Sequence, residues 1–177
     1  DIQVLSPMNR GTCGTAILNE KLQEALNPAS TEVIRGGRKF RIGDKVMQIR
    51  NNYDKNVYNG DIGYITEINT EEQNISVEID GTDIIYDYSD LDELTLAYAI
   101  SIHKSQGSEY PVVIIPMTMQ HYIMLQRNLI YTAITRGKAL VILVGVQKAI
   151  SIAVHNAKLM MRYGQLKERI ILYDNII

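Results

Sequence analysis

The sequence predicts an α/β fold, a parallel sheet with helices on both faces interrupted by a small antiparallel barrel. Three observations carry that expectation. Val112-Val113-Ile114-Ile115 and Leu140-Val141-Ile142-Leu143-Val144 are unbroken apolar runs, the mark of strands buried on both faces of a parallel sheet. Helical spacing lies between these runs and also follows the first apolar segment of the chain. Between residues 36 and 92 the pattern changes to short alternating runs separated by turn residues.

In chain order, Ile2-Gln3-Val4-Leu5 reads as a buried strand stopped by Ser6-Pro7. Gly11 and Gly14 make a loop. Leu18, Leu22 and Leu26 then fall at i, i+4 and i+8, which places three leucines on one helical stripe before Pro28 ends the pattern. The middle block opens with Gly36-Gly37. Its candidate strands are Val46 to Ile49, Ile62 to Ile68 after Asn59-Gly60, Ile75 to Ile79, and Thr82 to Tyr86 after the turn pair Asp80-Gly81. Such short strands in so little chain suggest a barrel of SH3-like size. In the last block Gln120 to Arg136 reads as a helix offering Ile123, Leu129, Ile130 and Ala133 to the core. The tail from Gln147 to the end reads as helical, with its charges near Lys167-Glu168-Arg169. Residues 1–35 and 93–177 therefore form one discontinuous domain, and 36–92 form an inserted barrel.

Composition excludes several classes. The 177 residues are 46% hydrophobic and 21% charged, ordinary for a folded domain and wrong for disorder, collagen or a coiled coil. Cys13 is alone, so no intrachain disulfide forms and the expected compartment is the cytoplasm. The opening DIQVLSPMNR lacks a signal-peptide pattern, and no apolar run reaches membrane-spanning length, so no membrane partner is expected. The first residue is not Met and the chain starts in an apolar segment, which suggests a piece of a longer protein. A net charge of −2 gives no whole-surface attraction to nucleic acid, so any such site must be a local patch. His121 and His155 lack ligand spacing with Cys13 or an acidic partner, and no metal site is expected.

Two stretches carry the residue types of chemistry. In Ser101-Ile102-His103-Lys104-Ser105-Gln106-Gly107-Ser108-Glu109, a capped short helix explains Ser101 as N-cap and Gly107 as C′ residue. It does not explain His103, Lys104, Gln106 and Glu109 crowded together, and hydroxyls with a lysine are what phosphate contacts use. In Asn128 to Lys138, a helix delivers Arg136 at its end before Gly137 turns the chain into the next strand. Arg136 and Lys138 either complement the helix dipole, worth about 0.3–1 kcal/mol, or Arg136 projects into a ligand crevice. Arg35, Arg38, Lys39, Arg41 and Lys45 make a local basic cluster at the barrel entry, with Tyr53 and Tyr58 nearby as possible stacking platforms.

These residues resemble a known family. His103-Lys104-Ser105-Gln106-Gly107-Ser108-Glu109 resembles motif V of superfamily-1 helicases of the RecD/TraA branch, and Tyr131-Thr132-Ala133-Ile134-Thr135-Arg136 resembles their motif VI. Val4-Leu5-Ser6-Pro7-Met8, with Gly11, Gly14, Leu18-Asn19 and Leu22-Gln23, is similar to the segment around motif IV. Gly43-Asp44-Lys45-Val46-Met47 and Asn59-Gly60-Asp61-Ile62-Gly63 resemble the barrel inserted in that branch. The matches keep their order across most of the chain.

The resemblance implies a second RecA-like motor domain with its inserted SH3-like barrel, from an ATP-dependent 5′-to-3′ DNA helicase like the exodeoxyribonuclease V alpha subunit. No G-x-x-x-x-G-K-[ST] occurs, and Asp92-Glu93 follows no buried apolar run, so the P-loop and Walker B belong to a preceding domain and this segment alone should not hydrolyse ATP. ATP with Mg would be bound mainly there. By the same resemblance Arg136 is the arginine finger. Gln106, Gly107 and Glu109 approach the nucleotide, Glu109 near the ribose or Arg136, and Arg10 adds a second phosphate contact. Ser101, His103, Lys104 and Ser105 face single-stranded DNA. The implied partners are that DNA, the N-terminal RecA-like domain and nuclease or helicase subunits. Two other readings remain open: the helicase part of a conjugative relaxase, and a non-catalytic protein- or nucleic-acid-binding module built on the barrel.

Overall fold

The computed structural model describes residues 2–28 and 31–156, together with Ile171. The first elements are β1 (Ile2–Ser6), α1 (Thr15–Leu26), the hairpin β2 (Glu32–Arg35) and β3 (Arg38–Arg41), and β4 (Lys45–Gln48). There follow β5 (Ile62–Asn69), β6 (Asn74–Ile79), β7 (Thr82–Asp87), a 3-10 turn and β8 (Leu94–Leu96). The chain ends its described course with β9 (Ala99–Ser101), β10 (Tyr110–Met117), α2 (Arg127–Ile134), β11 (Gly137–Gly145) and α3 (Gln147–His155). The α/β architecture is as the sequence predicts. The helical tail expected beyond α3 lies outside the described residues.

Strands from both ends of the chain assemble one parallel sheet in the order β11-β10-β1-β9. Between them sits a five-stranded antiparallel sheet, β7-β6-β5-β4-β8, with the β2–β3 hairpin beside it. Its alternation is the one read from sequence: Ile75, Val77 and Ile79 point into a core with Phe40, Val46, Ile65, Tyr86 and Leu94. Asp80 and Gly81 both have positive φ, 49° and 78°, which gives the β6–β7 turn the twist that a two-residue hairpin needs. A second core joins Leu5, Val113, Ile115 and Met117 of the parallel sheet to Ile130 and Ala133 of α2 and Ala149 and Ala153 of α3.

Three local expectations change. The strand 140–144 is not buried on both faces: Leu140, Ile142 and Val144 are exposed, because α2 and α3 pack on the face of Val141 and Leu143 and, among the described residues, no element covers the other. The single helix from Gln120 to Arg136 is two elements, a 3-10 turn at Met119–Met124 and then α2, since Leu125 and Gln126 leave helical geometry to bury the Leu125 side chain. Helix α1 does not bury its leucine stripe. Leu26 is 67% exposed, while Asn19 and Gln23 are buried at 7% and 3%.

That inversion has a hydrogen-bonding cause. Ala99 lies on the outer edge of β9, where its N–H and C=O have no strand to pair with among the described residues. The Asn19 side-chain amide supplies both partners: Ala99 N–H donates to Asn19 Oδ1 at 2.7 Å, and Asn19 Nδ2 donates to Ala99 O at 2.9 Å. One amide thus closes the sheet edge as a neighbouring strand would. Among the described residues no helix is long and apolar enough to cross a membrane.

Candidate nucleotide and nucleic-acid site

After β9, residues 102–107 form consecutive turns instead of a regular helix. Ser105 N–H donates to Ser101 O at 3.2 Å, Gln106 N–H to His103 O at 3.3 Å, and Ser108 N–H to Ser105 O at 3.1 Å. Ser101 Oγ accepts the Lys104 N–H at 3.3 Å, the capping role expected of it. Gly107 has φ +89°, the left-handed conformation expected at the end of the turn. This segment crosses from the carboxyl edge of the sheet at Ser101 to the amino edge at Tyr110, so its ends face different surroundings.

Ser105 is a correction. It is fully buried, its hydroxyl donates to Ile102 O at 2.7 Å, and it cannot meet a DNA strand. The turn places Ile102 and Ser105 inward and His103, Lys104, Gln106 and Gly107 outward. The outward residues then separate into two grooves. Ser101 and Lys104 line a cavity of about 470 Å³ with Asn9, Thr15, Arg38 and Thr95, at the junction of sheet and barrel. Lys104 Nζ donates to Asn59 Oδ1 of the barrel loop at 3.3 Å. His103 and Gln106 line another groove, about 240 Å³, whose far wall is Gln126, Asn128 and Thr132 over a floor of Met124 and Leu129.

At the amino edge, Arg136 follows α2 and ties the two sequence motifs together. Its Nη1 donates to Ser108 O at 3.1 Å, its Nε to Thr132 O at 3.2 Å and its Nη2 to Thr135 Oγ1 at 3.2 Å. Its own carbonyl accepts the Tyr110 N–H at 2.8 Å. Among the described residues no carboxylate pairs with this guanidinium. Glu109, expected beside the ribose or Arg136, pairs with Lys138 at 3.2 Å, with both side chains more than half exposed. Burial pushes the neighbouring Tyr110 phenol up, and the Arg136 charge opposes that shift.

Arg10 stands apart from Arg136. It lies in the exposed loop after β1, whose last residue Ser6 pairs with Ser101 at the carboxyl edge. Ile2 pairs with Val112, so Ser6 is six residues along the sheet from Tyr110 and Arg136, about 20 Å at strand rise. The two arginines leave opposite edges, and Arg10 shares its edge with Lys104 instead of with the nucleotide candidates. The basic cluster at the barrel entry also disperses. Arg41 is buried, donating from Nε to Glu32 at 3.2 Å and from Nη1 to Asn27 O at 3.0 Å. Arg38 Nη1 donates to Leu94 O at 2.7 Å, and Lys45 is buried, which pulls its ammonium down. Tyr53 and Tyr58 do stay exposed, in edge-to-face contact at 6.2 Å, on the loop that carries Asn59. Asn9 and Thr15 carry no signal in the sequence, where each looks like a solvated loop or cap residue, and Asn59 is read there only as part of a turn and barrel motif.

The family model for the SH3 domain of ATP-dependent RecD-like DNA helicases matches residues 18–79, and that for the UvrD-like helicase C-terminal domain matches residues 96–144. These matches place the chain with the C-terminal part of RecD-like helicases. An ATP-dependent RecD2 DNA helicase of Deinococcus radiodurans is 36% identical over 137 residues, covering 77% of this chain and 19% of that protein. A RecBCD enzyme subunit RecD of Buchnera aphidicola is 34% identical over 150 residues, covering 77% of this chain and 23% of that protein. The chain thus spans about a fifth of the length of these curated relatives. A Bacteroides Pif1 helicase, solved with ADP-AlF3 and ssDNA, aligns over 97% of this chain and 45% of its own with TM-score 0.62 and 18% identity, a likeness of fold.

Proposed function

We propose that this chain is the second motor domain, with an inserted barrel, of an ATP-dependent DNA helicase acting in recombination and repair. The observation that carries the reading is the Arg136 anchorage: a guanidinium held on the Ser108 carbonyl, without an acidic partner among the described residues, at one sheet edge. ATP with Mg is held mainly by the P-loop of a preceding RecA-like domain, and Arg136 reaches across the cleft to its γ-phosphate. In phosphoryl transfer negative charge shifts onto the leaving oxygens. A planar, permanently charged fork stabilises it, worth about 10³–10⁵ in rate in other NTPases.

At the far edge, Ser101, Lys104, Asn9 and Thr15 hold the phosphates of a single strand, with Arg10 at the rim of the same track. Tyr53 and Tyr58 offer stacking faces where the strand passes the barrel. His103 and Gln106 take the second groove, and Gly107 and Glu109 lie toward the nucleotide end. Segment 101–109 then links both events: closure of the cleft pulls at Ser108, and the movement reaches Lys104. Unwinding from 5′ to 3′ is the direction that the resemblance to the RecD/TraA branch implies.

The test is ATP turnover with single-stranded DNA, measured on this chain alone and on the polypeptide extended N-terminally to include a P-loop. Turnover in the extended protein alone is the expected result. Turnover by the short chain contradicts the proposal, and turnover by neither replaces it with a binding module centred on the barrel.

A further inference from the structure

We infer that the amide ladder Asn19, Gln23 and Asn27, closed on the buried carboxylate of Asp44, is the joint that fixes the barrel to the motor sheet and sets the width of the Lys104 groove. The consequence for DNA rests on the motor reading above, while the joint rests on geometry alone.

The three amides recur at i, i+4 and i+8, one per turn on the same side of α1. Each grips a different part of the molecule. Asn19 holds Ala99 on both its backbone groups and also donates to Leu96 O at 3.0 Å. Gln23 Nε2 donates to Lys39 O at 3.0 Å and to Asp44 Oδ2 at 2.5 Å. Asn27 Nδ2 donates to Ile42 O at 2.9 Å and to Asp44 Oδ1 at 2.8 Å. Asp44 is completely buried and accepts two more bonds, from the Arg41 N–H at 2.7 Å and the Tyr98 hydroxyl at 3.0 Å.

The Asp44 carboxylate therefore has four donors, drawn from the motor helix, the residue just past it, the barrel, and the link between β8 and β9. That link is held from the motor side too, by Gln3 Nε2 donating to Ala97 O at 3.0 Å and Tyr98 O at 3.2 Å. Three residues beyond Tyr98 the chain reaches Ser101. An apolar stripe would tolerate sliding and repacking, whereas hydrogen bonds with fixed directions admit one orientation. The two walls of the Lys104 groove, Asn9 and Thr15 on the motor and Arg38 and Thr95 on the barrel, are set apart by this joint.

Asp44→Asn keeps the shape but turns an N–H₂ toward groups that donate. Tyr98→Phe, a milder variant, removes one donor and keeps the ring. Hydrogen exchange on this chain and DNA-stimulated ATP turnover on the P-loop-containing protein are measured for both. For Asp44→Asn, exchange at residues 97–101 and 23–27 should quicken about tenfold while β5 and β6 keep their protection, since a lost hydrogen bond of this kind corresponds to roughly that factor. The single-strand concentration giving half-maximal turnover should rise about tenfold with the saturated rate within about twofold, a split that a merely stabilising residue would not produce. Tyr98→Phe should shift both readouts the same way by about threefold.

Unchanged exchange at the joint in both variants overturns the proposal. So does loss of protection throughout β5 and β6 in both, which would make Asp44 an ordinary core group. So does a quickened joint with an unchanged DNA requirement. Wild-type protein without any DNA-stimulated turnover refutes the motor reading instead, and exchange then decides the joint by itself.

Discussion

Replacing Asn19 with leucine tests the inverted face of α1. By helical pattern the change is an improvement, since it adds an apolar residue beside the Leu18, Leu22 and Leu26 stripe. In the structure it strips three partners from backbone groups, two of them buried and one partly so: the Ala99 N–H at 2.7 Å, the Ala99 C=O at 2.9 Å and the Leu96 C=O at 3.0 Å. A buried group left unpaired costs about 1–3 kcal/mol, and burying the leucine returns about 1.5–3 kcal/mol at most. The expected net loss is about 3 kcal/mol, a fall in melting temperature of roughly 6–12 °C for a chain of this size. Leu26→Asn, at a position 67% exposed, should cost less than about 1 kcal/mol, mainly in helix propensity. Thermal unfolding followed by far-ultraviolet circular dichroism compares the two directly. A leucine variant at 19 as stable as the wild type, or an asparagine variant at 26 that loses more, would refute the edge-closing role of Asn19.

Tyr86 is buried with its phenol pushed up to about 12 by burial first, then by the charges of Glu93 and Asp61. Its contribution is complete below pH 10, where the unfolded phenol keeps its proton, and is lost as pH rises from 10 toward 12. Its share of the slope is about 1.4 kcal/mol per pH unit, measurable as a falling denaturation midpoint that Tyr86→Phe should make shallower by that amount, while Tyr98, whose phenol burial and Asp44 also push up to about 12, keeps a fall of its own. Lys104→Ala should weaken single-strand binding and reduce the slope of log affinity against log salt by about 0.7, the value for one phosphate contact on a single strand. Ser105→Ala should leave single-strand affinity unchanged, because its hydroxyl is turned inward to Ile102 O. An equal loss from both variants would contradict the division of residues 101–105 into inward and outward sets.

Much of the fold was legible because it is periodic. Alternation from Ile75 to Ile79 and the Asp80-Gly81 pair announce the β6–β7 hairpin through local chemistry alone. The unbroken runs at 112–115 and 140–144 announce parallel strands, but a run cannot say whether its strand ends at the centre or the edge of the sheet, and among the described residues β11 is an edge. Buried amides defeat the pattern altogether. Asn19, Gln23 and Asn27 have the composition of a solvated face, and their burial follows from partners on β9 and the barrel that are distant in sequence.

The same limit governs the site. Motifs V and VI could be found by resemblance, and the Arg136–Ser108 bond joins them directly. That Arg10 and Arg136 leave opposite edges follows from the strands being parallel, with Arg10 after the end of β1 and Arg136 just before the start of β11. Arg38, Arg41 and Lys45 read as a basic face, yet Arg41 and Lys45 are buried and only Arg38 stays exposed. Arg41 then meets Glu32, and Arg38 a backbone carbonyl.

The most direct measurement of the central claim is ATP turnover and single-stranded DNA binding for Arg136→Ala, made in the protein that includes a P-loop. The motor reading predicts DNA affinity within about twofold of wild type and turnover lowered by at least about 10³, the smaller value associated with an arginine finger. Turnover that survives the substitution would contradict it.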